Sequence, residues 1–298
     1  MKENHKLSIS IVLPCYNEEK SIGRTITKIS DVLESTNLLE YEIILVDDGS
    51  TDNSYPEAIK FKSDVTILRH EKNMGYGASI KTGIGKARFE WICITDIDGT
   101  YDFDQFRDLL KHTKNKDMVV GARTGNFVQY SKLRAIPKFF LVRFASYLIG
   151  KKIPDLNSGF RIFKKKRCLE FSKFYPNKFS FTTTITMLFL SNEFNVKFVP
   201  IDYYKRTGKS KINPVNDTLN FFSLIIKIGM YTNPLRAFFP VIFATSVGLI
   251  ASLFYDIFFI QNLTDKSLLI FFFLINLSFF ALATDMLRKL IASNVKKE

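Results

Sequence analysis

Apolar residues in the first 125 positions come as short, nearly unbroken runs, separated by stretches in which they recur at helical spacing. Short apolar runs bounded by turn residues predict buried strands, and the spaced stretches between them predict helices. The expected strands are Ser8–Cys15, Tyr41–Asp47, Val65–Arg69, Trp91–Thr95 and Met118–Ala122. The expected helices are Glu19–Glu34, Ser54–Lys62, Ala78–Arg88 and Asp104–His112. This alternation predicts an α/β fold with a mostly parallel sheet covered on both faces. Ligands in such sheets gather at the carboxyl ends of the strands. Here those ends carry Tyr16-Asn17-Glu18, Asp47-Asp48-Gly49 and Asp96-Ile97-Asp98, all polar and acidic, opening on one edge.

Residues 126–213 are less regular. They predict helices at Ala135–Ile149 and Thr182–Glu193, a strand at Lys197–Ile201, a loop holding Asp155-Leu156-Asn157-Ser158-Gly159-Phe160-Arg161, and a basic loop ending at Lys211. From residue 214 the pattern changes. Thr218–Tyr231 is apolar except for Asn220, Ser223 and Lys227, which recur at i, i+3 and i+7 as one polar stripe. That suits a helix lying in a membrane interface, with a buried helix of the globular part as the other reading. Ala237–Tyr255 and Leu268–Thr284 carry no charge, and each approaches the ~20 apolar residues that cross a bilayer. With Phe and Leu all round, the two predict a transmembrane hairpin. Lys227 and Arg236 precede it, Arg288, Lys289, Lys296 and Lys297 follow it, and its loop has only Lys266 beside Asp265. The positive-inside rule then places both ends in the cytoplasm. The N-terminus shows no signal-peptide pattern, so the α/β part is expected there too. The loop also holds an Asn262-Leu263-Thr264 glycosylation triplet, a pattern common by chance.

Composition sharpens this picture in two respects. The 298 residues suffice for one α/β domain plus an appendage. The formal net charge is +13, and 30 residues are Phe, crowded toward the C-terminus. A basic chain can serve nucleic acid, an anionic membrane or phosphorylated substrates; the Phe-rich end favours the membrane and argues against nucleic acid. Cys15, Cys93 and Cys168 are scattered with no CxxC spacing, which predicts reduced, buried thiols. His5, His70 and His112 are isolated, so neither a zinc site nor a His-based triad is supported.

Asp96 and Asp98, one residue apart at a strand end, can both turn to one divalent cation. Mg²⁺ or Mn²⁺ prefers such oxygen ligands and shares them with substrate phosphates. Asp47 and Asp48 can accept hydrogen bonds from a base or ribose, while Asp52 or Asn53 serves as a helix cap. Pro14, Tyr16, Asn17 and Glu18 open a helix whose N-terminus can face a nucleotide. Asn73-Met74-Gly75-Tyr76-Gly77 lacks the GxGxxG pattern, because Ile80 stands at the third glycine. Gly208-Lys209-Ser210 is no P-loop, because Tyr203 occupies its earlier glycine. Arg206-Thr207-Gly208-Lys209-Ser210-Lys211 combines a flexible glycine, hydroxyls and cations, which suits a diphosphate or lipid phosphate; contact with anionic headgroups is the alternative.

Taken in order, LPCYNEE, VDDGSTD, NMGYGAS, DIDG, VVGAR, DLNSGFR and RTGKSK resemble family 2 glycosyltransferases, in particular polyprenyl-phosphate glycosyltransferases of the dolichol-phosphate mannose synthase type. The resemblance covers about residues 7–213 and continues into the following helix and hairpin. It implies a GT-A fold, Rossmann-like, over residues 1–213, an amphipathic interface helix at 214–234, and a hairpin with a cytoplasmic tail at 235–298. It implies inverting transfer of one sugar from a nucleotide-diphosphate sugar to a polyprenyl phosphate at the cytoplasmic membrane, with Mg²⁺ or Mn²⁺, and a homo-oligomer. By resemblance Pro14, Tyr16, Glu18, Asp47 and Asp48 contact the nucleotide, Asp96 and Asp98 hold the metal, and Arg206, Ser210 and Lys211 close over the diphosphate. Arg123, Arg134 and Ser158 face the acceptor phosphate, with Asp155 nearby. Relatives often carry Gln or another polar residue just after the metal pair; this chain has Gly99-Thr100-Tyr101. Another glycolipid or polysaccharide acceptor, and a non-catalytic scaffold, are the alternatives. The processive synthases' QxxRW is missing, since the one tryptophan, Trp91, follows Glu90.

Overall fold

The computed structural model describes residues 7–128, 132–178, 180–205 and 214–295, and the side chains among them except at 132–138, 214–218 and 291–295. Strand β1 (Ile9–Cys15) is buried at every position, as a strand with helices over both faces must be. Beside it lies β2 (Tyr41–Asp47), which in turn pairs with β3 (Val65–Arg69), and on its other side lies β4 (Trp91–Ile94), all parallel. Helix α1 (Ile22–Glu34) repeats Ile22, Ile26, Ile29 and Val32-Leu33 at helical spacing. That stripe packs on the β1 face carrying Ile9, Ile11 and Leu13. Each such side chain contributes roughly 1.5–3 kcal/mol by burial. Helix α2 (Ser54–Ile59) follows β2, and α3 (Tyr76–Lys86) covers the opposite face. There Gly83 lets the helix approach closely, since a Cβ would lie 2.4 Å from Val12 Cγ1.

A 3₁₀ turn at Phe103–Gln105 leads into α4 (Phe106–Leu110) and then β5 (Met118–Ala122). The expected helix over Asp104–His112 is thus shorter, because Asp102 caps the preceding 3₁₀ turn by accepting from the Asp104 amide. Likewise α1 starts at Ile22 rather than Glu19, after a turn in which Ser21 N–H bonds to the Glu18 carbonyl at 3.0 Å. Next come α5 (Lys132–Ile149), β6 (Arg161–Lys164), α6 (Lys165–Leu169), α7 (Phe181–Ser191) and β7 (Val196–Pro200).

The seven strands run in the order β3-β2-β1-β4-β6-β5-β7. Sequence reading missed β6: its four residues follow a polar loop and begin with an arginine. It runs antiparallel to both neighbours, pairing Ile94 with Arg161 and Val120 with Arg161. Antiparallel direction has a consequence. The loop before β6 arrives at the same edge as the carboxyl ends of the parallel strands.

The chain divides into two compact units, Met1–Arg143 with Ile153–Phe221, and Phe144–Lys152 with Phe222–Glu298. The first contains the sheet. In the second, Phe144 stacks on Phe222 at 5.3 Å, and a Cβ on Gly229 would lie 2.6 Å from Leu148. Helix α8 (Pro214–Thr232) leaves Asn220, Ser223 and Lys227 exposed, along with Leu219 and Phe222. Helix α9 (Pro234–Tyr255) continues through a π-helical turn at Asp256–Ile260, and α10 (Asp265–Val295) returns. Asp256 ties the tip together, accepting from the Thr264 amide, the Thr264 hydroxyl and the Ser267 hydroxyl at 2.6–2.9 Å. Pro234–Ile260 and Asp265–Leu290 are long and apolar enough to cross a membrane, with mean hydropathies of 2.1 and 2.2. Only 11% of either window is buried, so these are not core helices of a water-soluble fold.

Candidate active site

The carboxyl ends of β1 and β2 are laced together by side chains that cap each other's loops. Asn17, in the left-handed region at φ 52°, accepts from the Thr51 amide at 2.8 Å, and its own amide donates to Ser50 Oγ at 2.9 Å. The Glu18 amide donates to Ser54 Oγ at 2.7 Å. Gly49 turns the second loop at φ 69°, where a Cβ would meet the Lys72 backbone at 2.6 Å. The polar residues of both motifs therefore belong partly to turn construction, and they hold open a cleft of about 530 Å³.

Pro14, Cys15, Tyr16, Glu18, Asp48, Tyr76, Asp96 and Asp98 line that cleft. Burial and the nearby Asp47 carboxylate push the Cys15 thiol up to about 12, so it stays protonated. Asp47 itself is not among the lining residues. It is fully buried beside the cleft, accepts from the Ser50 amide at 3.2 Å and pairs with Arg69 at 3.1 Å. Asp48 does line it, and sequence reading missed its partner. His70 Nδ1 lies 2.7 Å from Asp48 Oδ1 and His70 Nε2 3.0 Å from Thr82 Oγ1. Asp48 also accepts from the amides of Met74 and Gly75 at 2.9 and 2.8 Å. Only the β2–β3 pairing brings His70 to Asp48 across 22 residues, and no local motif announces that contact.

Asp96 is half-buried and Asp98 buried. Asp96 Oδ1 accepts from Tyr76 Oη at 3.0 Å, and Asp98 Oδ1 from Thr100 Oγ1 at 2.6 Å. Two carboxylates on one cleft are a hard oxygen-donor pair suited to Mg²⁺ or Mn²⁺, which takes its other ligands from phosphate and water. No cluster of three or more acidic, His or Cys side chains that could hold a metal occurs among the described residues. A second cavity of about 330 Å³ shares both acids and is bounded on the α1 side by Lys20, Arg24 and Lys28.

The missed strand β6 brings the Asp155–Gly159 loop against this pair. A Cβ on Gly159 would lie 2.7 Å from Asp96 Oδ2. Asp155, 1% exposed, grips Arg123 bidentately at 2.7 and 2.8 Å and accepts the Arg123 amide at 3.0 Å. Ser158 is fully buried, its Oγ 3.4 Å from Tyr101 Oη; it braces the loop rather than lining an open surface. Arg161, also fully buried, donates to the carbonyls of Ser158 and Thr182 and to Thr186 Oγ1. Burial lowers its guanidinium to about 10, still charged at neutral pH. The Tyr204 amide bonds to the Thr100 carbonyl at 2.9 Å, so β7 also delivers the chain to the acid pair. Arg206, Ser210 and Lys211 lie outside the described residues. Arg134 falls within α5, but its side chain is outside the description.

A family model described as glycosyl transferase family 2 matches residues 10–169. A dolichyl-phosphate beta-glucosyltransferase of Trichomonas vaginalis is 28% identical over 176 residues, covering 54% of this chain and 54% of that relative, about half its length. One of Dictyostelium discoideum is 24% identical over 242 residues, covering 74% of this chain and 73% of the relative. Among solved structures, glucosyl-3-phosphoglycerate synthase of Mycobacterium tuberculosis in complex with Mn²⁺, UDP-glucose and phosphoglyceric acid superposes with a TM-score of 0.58 at 15% identity. That match covers 75% of this chain and 80% of the other. It establishes the likeness of fold, and with it the GT-A architecture.

Proposed function

The chain belongs to glycosyl transferase family 2, and from that premise we propose that it transfers one hexose from a nucleotide-diphosphate sugar to a polyprenyl phosphate, with inversion, at the cytoplasmic face of a membrane. The observation that carries this reading is the conjunction in one chain of an acid pair on a 530 Å³ cleft with two apolar helices of membrane-spanning length. Relatives named for glucosyl transfer to dolichyl phosphate support the acceptor class. A fold neighbour holding UDP-glucose and Mn²⁺ supports a nucleotide-sugar donor and a divalent cation.

In this reading Tyr16, Glu18 and Asp48 contact the nucleotide, with Asp47 buttressing the turn. Asp96 and Asp98 hold Mg²⁺ or Mn²⁺, which when bound offsets charge growing on the leaving diphosphate. Arg206, Ser210 and Lys211 close over that diphosphate. Asp155 fixes the Arg123 guanidinium toward the acceptor phosphate, Arg134 adds a second cation, and Ser158 holds the loop's shape. An acceptor phosphate oxygen attacks the anomeric carbon while the bond to the nucleotide diphosphate breaks on the opposite face, taking its electron pair with it. A phosphate monoester has a second pKa of about 6, so the acceptor is already largely a dianion at neutral pH. A strong general base is unnecessary.

The test is a donor screen. The protein, purified in detergent, is incubated with Mn²⁺, undecaprenyl or dolichyl phosphate, and UDP-glucose, GDP-mannose or a UDP-N-acetylhexosamine, and the lipid is analysed by mass spectrometry. A hexosyl-phosphoryl polyprenol is the expected product, with UDP-glucose tried first. Nucleotide binding without transfer from any donor would instead support the scaffold reading.

A further inference from the structure

Each acid of the pair has a hydroxyl set against it. Tyr76 Oη donates to Asp96 Oδ1 at 3.0 Å. Thr100 donates to Asp98 Oδ1 twice, through its hydroxyl at 2.6 Å and its amide at 3.1 Å. Tyr76 is the first residue of α3, and that first turn is rigidly mounted. Asp48 holds the amides of Met74 and Gly75, and the amides of Gly77 and Ala78 bond to the carbonyls of Lys178 and Asn177 at 3.2 and 2.8 Å. Only glycine fits at 77, since a Cβ would lie 2.1 Å from the Pro176 carbonyl oxygen. Thr100 is fully buried and anchored by the Tyr204 amide on its carbonyl.

We propose that Tyr76 and Thr100 are the positioning residues of the cation site, each fixing one carboxylate before the ion arrives. The inference rests on the assignment of Asp96 and Asp98 to a divalent cation and adds what holds them. Ordering a carboxylate when an ion binds costs side-chain entropy, and a donor that already orients it lowers that cost. Outer donors that orient ligands in advance typically contribute 10- to 100-fold in metal affinity. Thr100 stands two residues beyond Asp98. Its hydroxyl here is spent on Asp98. The segment from Asn73 to Tyr76 also walls the nucleotide cleft through Asn73, Gly75 and Tyr76, so one turn serves both the nucleotide side and the cation.

The test titrates Mn²⁺ alone into the full chain in detergent, reading free Mn²⁺ by electron paramagnetic resonance. Tyr76→Phe removes only the hydroxyl, and Thr100→Val replaces one with a methyl group. Each is expected to weaken Mn²⁺ binding about tenfold with little change in melting temperature, and Thr100→Ser to bind as wild type. In turnover the Mn²⁺ concentration for half-maximal rate should rise while the rate at saturating Mn²⁺ falls less. Wild-type affinity in Tyr76→Phe and Thr100→Val, with binding lost in Asp98→Asn, overturns the positioning role alone. Wild-type affinity in Asp98→Asn overturns the cation assignment and this inference with it.

Discussion

Gly159→Ala tests whether the loop before β6 is fitted to the acid pair. The substitution adds one methyl group at a backbone position outside the left-handed region. That methyl would lie 2.7 Å from Asp96 Oδ2, 2.9 Å from Oδ1 and 3.0 Å from Cγ, where ordinary contact begins near 3.4 Å. Because both oxygens are too close, spinning the carboxylate about its own axis gives no relief. The whole group must swing away by about 0.7 Å, pulling on the bond to Tyr76. A misplacement approaching 1 Å at a reacting centre costs on the order of 10²-fold in rate, or about 2.7 kcal/mol of barrier. The displaced group faces the cleft, so the stability cost is expected at the low end of overpacking, about 1 kcal/mol. Initial rates of hexose transfer and thermal melts in the same detergent measure the two effects together. Activity within threefold of wild type would refute the fit. So would an activity loss accompanied by a melting point lowered by tens of degrees, because that would locate the damage in loop packing rather than in Asp96.

Three further outcomes are expected. Asp98→Ala should abolish metal-dependent transfer while the protein still sediments with membranes and keeps its circular dichroism; full retained activity would remove the metal assignment. Arg123→Ala takes two hydrogen bonds from buried Asp155 and should cost about 3–5 kcal/mol; in a urea-unfolding cycle, adding Asp155→Asn should recover part of that loss. For Asp117, burial pushes the carboxyl up, but the Asn195 amide, Lys164 and Arg167 outweigh it, and the folded-state value lies below the ordinary one. A depressed carboxyl stabilises the fold above its unfolded pKa of about 3.9 and loses that contribution as pH falls. Asp117→Asn should therefore lower stability at pH 7 and flatten its decline between about pH 5 and 3, measured by thermal melts across pH.

Local pattern was enough for much of this protein. β2, β3 and β5 lie at the expected residues, because an apolar run that must be buried on both faces has few other solutions. The acids after β1, β2 and β4 meet at one edge because parallel strands share a direction. The two long apolar helices were legible for a simpler reason: length and apolarity are properties of the segment itself. The three cysteines are buried, as expected of thiols scattered through the chain.

Relations between distant segments were not written in any one stretch. A four-residue strand beginning with arginine shows no periodicity, yet β6 slots between β4 and β5 and reverses direction, and that alone sets Gly159 against Asp96 and Asp155 on Arg123. The isolated-looking His70 meets Asp48 only because β3 pairs with β2. Tyr76 reads as one residue in a glycine-rich turn until the fold swings its hydroxyl to the cleft. Strand identity comes from a few neighbouring residues. Strand order, and therefore which side chains touch across the site, comes from the free energy of closing the whole sheet, and only the tertiary structure decides it.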